Sequence, residues 1–311
     1  MATDSAGTPL PPVLVPQGGI AAPQPVEAGT DPLALALRRM LRNPRTLAAL
    51  AVVLIMLLLA VLAGVIAPYS YKEQVRGHEL SPPGSEFFFG SDRLGRDILS
   101  RIMYGARVSL AVGIVATALS LFIGVNVGLI SAYFGGWVDA VLMRITDTFS
   151  AFPSIMLAIP ITALFDRPSF AIVFFALGIV GWTGIARVVR GQVLTVKEMD
   201  YVTAARALGS RNTRIIFRHI LPNCVSPIIV IATLSVGGNI LAEAGLSFLG
   251  LSVQDPFPSW GGMLTIARND FHLYWWVAVF PGLAIVLTVL SFNLLGDGLR
   301  DALDPKRSAL R

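Results

Sequence analysis

The chain has 311 residues, 54% of them hydrophobic and 14% charged, with a mean hydropathy of +0.70. A soluble domain carries about a quarter charged residues, so this composition excludes an ordinary soluble fold and points to an integral membrane protein. The net charge of +5 does not imply nucleic-acid binding, because the positive residues follow the loops expected on one side of a membrane, and the single cysteine, Cys224, allows neither an internal disulfide nor a cysteine metal cluster.

Residues 1–30 are dominated by Ala, Pro and Gly, with no aromatic and no basic residue. Such a stretch cannot bury a core, and a disordered cytoplasmic tail is expected. Asp31-Pro32 is a good helix start. In the segment 31–45, Leu33, Leu37, Met40 and Leu41 share one face while Arg38, Arg39, Arg42 and Arg45 cluster near the end. This predicts an interfacial helix on the inner leaflet. The first apolar run begins only after Arg45 and exceeds a signal-peptide core, so it is expected to remain as an anchor.

Six runs lack Asp, Glu, Lys and Arg and are long enough to span: 46–71, 108–138, 148–165, 168–186, 220–242 and 271–296. The expected fold is an all-α integral membrane protein, a permease domain over 46–311 with spans at about 46–67, 108–134, 142–165, 169–189, 222–246 and 273–295. Asp166-Arg167 forms a tight outer turn in this reading. Sixteen Lys/Arg fall on the expected cytoplasmic side and eight outside, which places both termini in the cytoplasm. Segment 68–107 is then periplasmic and segment 190–222 cytoplasmic.

Within 68–107, the stretch FGSDRLGRDIL suits a helix started by Asp97, with Ile98, Leu99 and Ile102 packing down and Arg93, Arg96 and Arg101 facing water or a partner. Gly124-x-x-x-Gly128 permits close helix contact. Arg144 and Asp147 are three apart on one helix face, which favours a local ion pair over a transport role. Asn239 and Glu243 lie in the fifth span. Glu243, costly at membrane depth, either lines a path or makes a buried structural hydrogen bond. Trp260, Trp275 and Trp276 suit an interfacial aromatic belt.

The most informative stretch is Lys197 to Asn223, KEMDYVTAARALGSRNTRIIFRHILPN. Tyr201 to Leu208 is rich in Ala, the best helix former. Gly209 allows a left-handed cap. Asn212 or Thr213 can cap a second helix whose Ile215, Ile216, His219 and Ile220 share a face. Leu221-Pro222 turns into the next span. A helix–glycine–helix knuckle follows, with little bulk at Ala204 and Ala205.

This stretch resembles the EAA loop of ABC-importer permeases of the peptide/nickel subgroup. Ala204, Ala205, Gly209, Leu221 and Pro222 fall at the family spacing, while Thr203 replaces the Glu and His219 the Ile. FGSDRLGRD resembles the FGTDxxGRD signature of the same subgroup, with Ser91 for the Thr, and RITDTFSAFPSIMLAI and GWTGIARVVRGQVL are also family-like. The resemblance implies the type I importer permease fold, with Tyr201, Ala204, Ala205, Arg206, Gly209, His219, Leu221 and Pro222 as the ATPase-coupling loop. It implies a homologous second permease in a heterodimer, two ATPase subunits holding ATP and magnesium, and an extracytoplasmic substrate-binding protein. For that last partner, Asp92, Arg93, Arg96 and Asp97 are the candidate docking residues. Asn239, Glu243 and Asp147 are candidates for the path.

None of the three lysines follows Gly, so no Gly-Lys-Ser/Thr phosphate loop exists. His78, His219 and His272 give no zinc spacing, and no Gly-x-Ser-x-Gly elbow is present. The chain is expected to bind no cofactor or metal and to catalyse nothing itself. The implied cargo is a di- or oligopeptide, with nickel chelates, glutathione or another small solute as alternatives. A stand-alone secondary transporter would call for inverted repeats and paired broken helices, which are not evident.

Overall fold

The computed structural model describes Met40 and residues 42–165, 169–252, 255–268 and 272–303. The expected tail over 1–30, most of the interfacial helix over 31–45 and the Asp166-Arg167 turn lie outside them. Helix α1, Pro44–Ile66, starts at a cap where the Asn43 side chain accepts from the Arg45 N–H at 3.1 Å, with Pro at its first turn. Its 23 residues rise about 35 Å, enough for a hydrocarbon core of about 30 Å. Helix α2, Ile98–Phe134, is 37 residues long. It begins well before the expected 108 because the Asp97 carboxylate caps it, accepting from the Ser100 N–H at 2.7 Å.

Helices α3, Gly136–Ser150, and α4, Ser154–Ala163, meet at an 80° bend. The span expected over 142–165 is therefore broken. Pro153 lacks an N–H and disfavours helical backbone at Phe152. Helices α5, Phe170–Val180, and α6, Trp182–Val196, run together over 27 residues. Then come α7, Asp200–Ala207, and one helical turn, α8, Asn212–Arg214. A π-helical segment, Ile215–Ile220, leads into α9, Leu221–Phe248. Helices α10, Trp260–Ala267, and α11, Trp276–Leu303, complete the described chain. Among the described residues, five helices are long and apolar enough to cross a membrane, and six if the bent pair counts as one span. Among the described residues the fold is helical, with one isolated bridge between Ser91 and Asp97.

Small residues set the helix spacing. A Cβ added at Gly124 would lie 2.7 Å from the Trp182 carbonyl oxygen, and one at Gly128 2.6 Å from that of Ala186. The backbones of α2 and α6 therefore touch, as the spacing of the two glycines predicts. Three apolar clusters follow. One joins α1, the start of α2, α9, α10 and α11. A second gathers α2, α6 and the knuckle, and a third packs α2 with α4, α5 and α9.

Candidate functional site

At one end of the bundle, α7, α8 and the π segment fold into a compact knuckle. Helix α7 ends at a left-handed glycine, Gly209, with φ +76°. Its N–H donates to the Arg206 carbonyl at 3.0 Å, and the Ser210 N–H to the Ala205 carbonyl at 3.1 Å. This crossed pair is the Schellman arrangement, which satisfies carbonyls the helix end leaves open. The chain then reverses and Ile215, Ile216 and Ile220 enter the core beside Val202 and Val193. Residue Arg211, not Asn212 or Thr213, occupies the cap position of α8, without a side-chain bond. The Asn212 side chain is engaged elsewhere, accepting from the Tyr133 hydroxyl at 2.8 Å.

The knuckle has two faces. Val202 and Ala205 point inward, Ala205 being 9% exposed. Outward lie Tyr201, Ala204, Arg206, Leu208 and Gly209. Leu208 is 86% exposed, and no atom lies within 4 Å of a Cβ added at Gly209. Of the expected coupling residues, Ala205 serves the core and His219 and Leu221 are half-buried, while Pro222 is exposed. Three contacts tie the knuckle and its approach to α2. Lys197 donates to the Ala132 carbonyl at 3.0 Å, the Arg206 guanidinium lies 6.0 Å from the Tyr133 ring centre, and Tyr133 holds Asn212. Burial raises the pKa of the Tyr201 hydroxyl above the usual phenol range. Sequence reasoning passed over Tyr133, whose partners lie far along the chain.

At the opposite end, segment 68–97 folds over the starts of α2 and α11. The Asp92 carboxylate accepts from the Leu94 and Arg96 N–H groups at 2.8 and 3.0 Å and from Arg96 Nε at 2.6 Å. Arg96 Nη1 and Arg101 Nη2 both reach Asp255, at 3.1 and 3.2 Å. The expectation that Arg96 and Arg101 face water or a partner is corrected: they are 3% and 2% exposed. Two carboxylates compensate them, without which burying charge is prohibitive. Asp92 and Asp97 are likewise buried, and of the four candidate docking residues only Arg93 reaches the surface. Burial raises the Asp97 pKa, against the bonds from Ser100 that lower it. The belt reading of the tryptophans is corrected too. Trp260 is fully buried, donating to the Ile102 carbonyl at 3.0 Å, and Trp276 is 7% exposed, so of these three Trp275 alone reaches the surface.

The three candidate path residues are scattered. Asn239 donates to the Thr117 hydroxyl at 2.9 Å and ties α9 to α2. Glu243 is fully buried and accepts from Ser247 and Ser252 at 2.7 and 2.9 Å. Asp147 is exposed, and its partner is Arg187 at 2.9 Å rather than Arg144. A second pair, Arg190 with Asp139, joins the same two helices with bonds of 2.7 and 2.6 Å.

Residues 124–309 match the family described as binding-protein-dependent transport system inner membrane component, and residues 31–83 the N-terminal TM domain of oligopeptide transport permease C. The dipeptide transport system permease protein DppC of Alkalihalophilus pseudofirmus is 42% identical over 95% of this chain and 97% of its own. DppC of Bacillus subtilis is 41% identical over 86% and 84%. The glutathione transport system permease protein GsiD of Pectobacterium atrosepticum is 46% identical over 86% and 89%. Among solved structures, an inward-facing form of the MetNI methionine ABC transporter aligns with a TM-score of 0.56 at 18% identity, over 66% of this chain and 96% of that one, a likeness of fold. The chain belongs to the permeases of ABC importers, in their dipeptide and oligopeptide subgroup.

Proposed function

We propose that this permease carries di- or oligopeptides inward across the bacterial inner membrane and draws its energy from two separate ATPase subunits gripped at the knuckle. The observation that carries this reading is the two-sided build of α7 and its glycine cap. One face is welded to α2, α6 and α9, and the other offers Tyr201, Ala204, Leu208 and a bare Gly209. A partner groove can close over that face, and motion of the knuckle then passes to three spans at once. The sixteen-to-eight distribution of Lys/Arg supports placing the knuckle and both termini in the cytoplasm. ATP and magnesium belong to the partner subunits in this reading, and a homologous permease completes the path.

At the far end a substrate-binding protein docks on the surface carrying Arg93 and Leu94, the latter 44% exposed. Asp92, Arg96 and Asp97 shape that surface from beneath. Of the three path candidates, Asp147 is the most exposed, and it is the one proposed to line the path. The dipeptide permeases among the relatives favour peptides, whereas the GsiD relative favours glutathione, itself a small peptide. Uptake of labelled dipeptide and of labelled glutathione by the reconstituted importer separates the two. Energy-dependent uptake without any ATPase subunit would overturn the coupling role.

A further inference from the structure

Helices α1 and α2 leave a groove of about 330 Å³ between them, open to the surroundings. Aliphatic side chains from Leu57 to Val61 on α1 and from Leu110 to Ile114 on α2 line it, with Arg107 as the one charged member. The Arg107 guanidinium donates through Nη2 to the Val61 carbonyl at 2.9 Å and through Nε to that of Ala60. Those carbonyls lie about 8 Å from the end of α1 at a rise of 1.5 Å per residue, in the last turns of the helix. The guanidinium stacks 5.1 Å from the Tyr104 ring centre, and Tyr104 packs on Tyr71 at 4.9 Å. Beyond that pair the Lys72 ammonium lies 5.4 Å from the Tyr71 ring centre. Two cations thus bracket a tyrosine pair beside an apolar slot. Among the described residues neither cation has a carboxylate partner, unlike Arg96 and Arg101 nearby.

We propose that this groove binds one anionic phospholipid, one acyl chain along the slot and its phosphate against Arg107, with Lys72 adding positive charge beyond the tyrosine pair. Guanidinium has five N–H donors and matches phosphate geometry. Arg107 spends one donor on each of two backbone carbonyls and keeps the rest for an anion. An apolar slot alone would accept any lipid or a neighbouring helix. The uncompensated charge decides for an anion, and it repels the choline of a zwitterionic headgroup. Tyrosines are enriched at membrane–water interfaces. Each basic residue near an anionic lipid surface contributes about 1 kcal/mol, or roughly fivefold in affinity.

The test uses the assembled importer in detergent, titrated separately with phosphatidylglycerol, phosphatidylcholine and inorganic phosphate. Bound lipid is counted by native mass spectrometry and the thermal midpoint is followed in parallel. Phosphatidylglycerol should be retained at one per permease and raise the midpoint, while phosphatidylcholine and inorganic phosphate do neither. Lys72→Gln should weaken retention about fivefold and Lys72→Gln/Arg107→Gln about twenty-five-fold. Lys72→Gln keeps the test valid if Arg107→Gln fails to fold, because no backbone carbonyl depends on it. Equal retention of the two lipids, unchanged retention in Lys72→Gln, the same stabilisation by inorganic phosphate, or a partner helix filling the groove would each overturn the proposal.

Discussion

Substitution at Gly209 separates backbone conformation from contact. No atom of the described residues beyond its chain neighbours stands within 4 Å of an added Cβ, so the first carbon of a side chain there meets no clash. The cost lies in the left-handed φ of +76°, which disfavours an L-residue by roughly 1–2 kcal/mol, with valine at the upper end and asparagine nearly free of it. A cost of about 2 kcal/mol shifts the balance between capped and uncapped loop roughly thirtyfold. The Ser210 and Gly209 N–H bonds are lost in the uncapped state, while the buried isoleucines still anchor the segment behind. The expected outcome for Gly209→Val is a protein that inserts and folds normally but transports poorly when reconstituted with its ATPases, with hydrolysis continuing. Gly209→Ala should lie between, and Gly209→Asn should stay close to wild type. Uptake and hydrolysis measured side by side in proteoliposomes check this. Full transport by Gly209→Val refutes the role of the cap, and failure of Gly209→Asn to outperform valine refutes the conformational argument in favour of simple bulk.

Arg101→Ala leaves buried Asp92 and half-exposed Asp255 with Arg96 as their one cation among the described residues and should cost about 1–3 kcal/mol, read as a lower thermal midpoint in detergent. Asp255→Asn should cost less, because its side chain is 48% exposed. Gly128→Val would drive a side chain into the Ala186 carbonyl at 2.6 Å and should destabilise by at least about 1–3 kcal/mol. Gly184→Ala on α6, where no atom lies within 4 Å, should be neutral to folding of the isolated chain. Arg190→Ala removes the two bonds to Asp139, and the exchange Asp139→Arg/Arg190→Asp should recover part of the lost thermal midpoint.

Local chemistry was legible in the sequence wherever a feature and its cause lie within a few residues. Asp97 caps α2 through Ser100, Gly209 closes α7, and Gly124 and Gly128 bring α2 against α6. Long-range pairing was not. Arg96 and Arg101 read as surface cations until Asp255 is brought back from 159 and 154 positions away. Arg144 looked the natural partner of Asp147 because it is close in sequence. The structure instead supplies Arg187, 40 positions on, since the middle of α6 runs beside α3. Trp260 read as an interfacial anchor, yet its indole N–H finds the Ile102 carbonyl inside the fold. In each case a polar group chose a partner on another helix, and that choice depends on packing that no local pattern carries.

The two ends of the molecule are mechanically joined by how its longest helices cross. Asn212 to Phe248 is one helical run of 37 residues, about 55 Å at 1.5 Å per residue, from the knuckle to the serines around Glu243. It is clamped to α2 about two thirds of the way along. Gly113 of α2 lies against Ile240 and Val236, and Asn239 reaches Thr117. The features that weaken the run's hydrogen-bond ladder, the π segment Ile215–Ile220 and Pro227, both sit on the knuckle side of that clamp. Displacement of the knuckle therefore has a compliant stretch in which to become a change of helix direction, and a stiff stretch beyond it to carry that change outward. The buried serine–Glu243 cluster and the Arg101–Asp255 pair, at the end of the stiff stretch, are where a tilt of α9 relative to α2 must break or remake polar contacts.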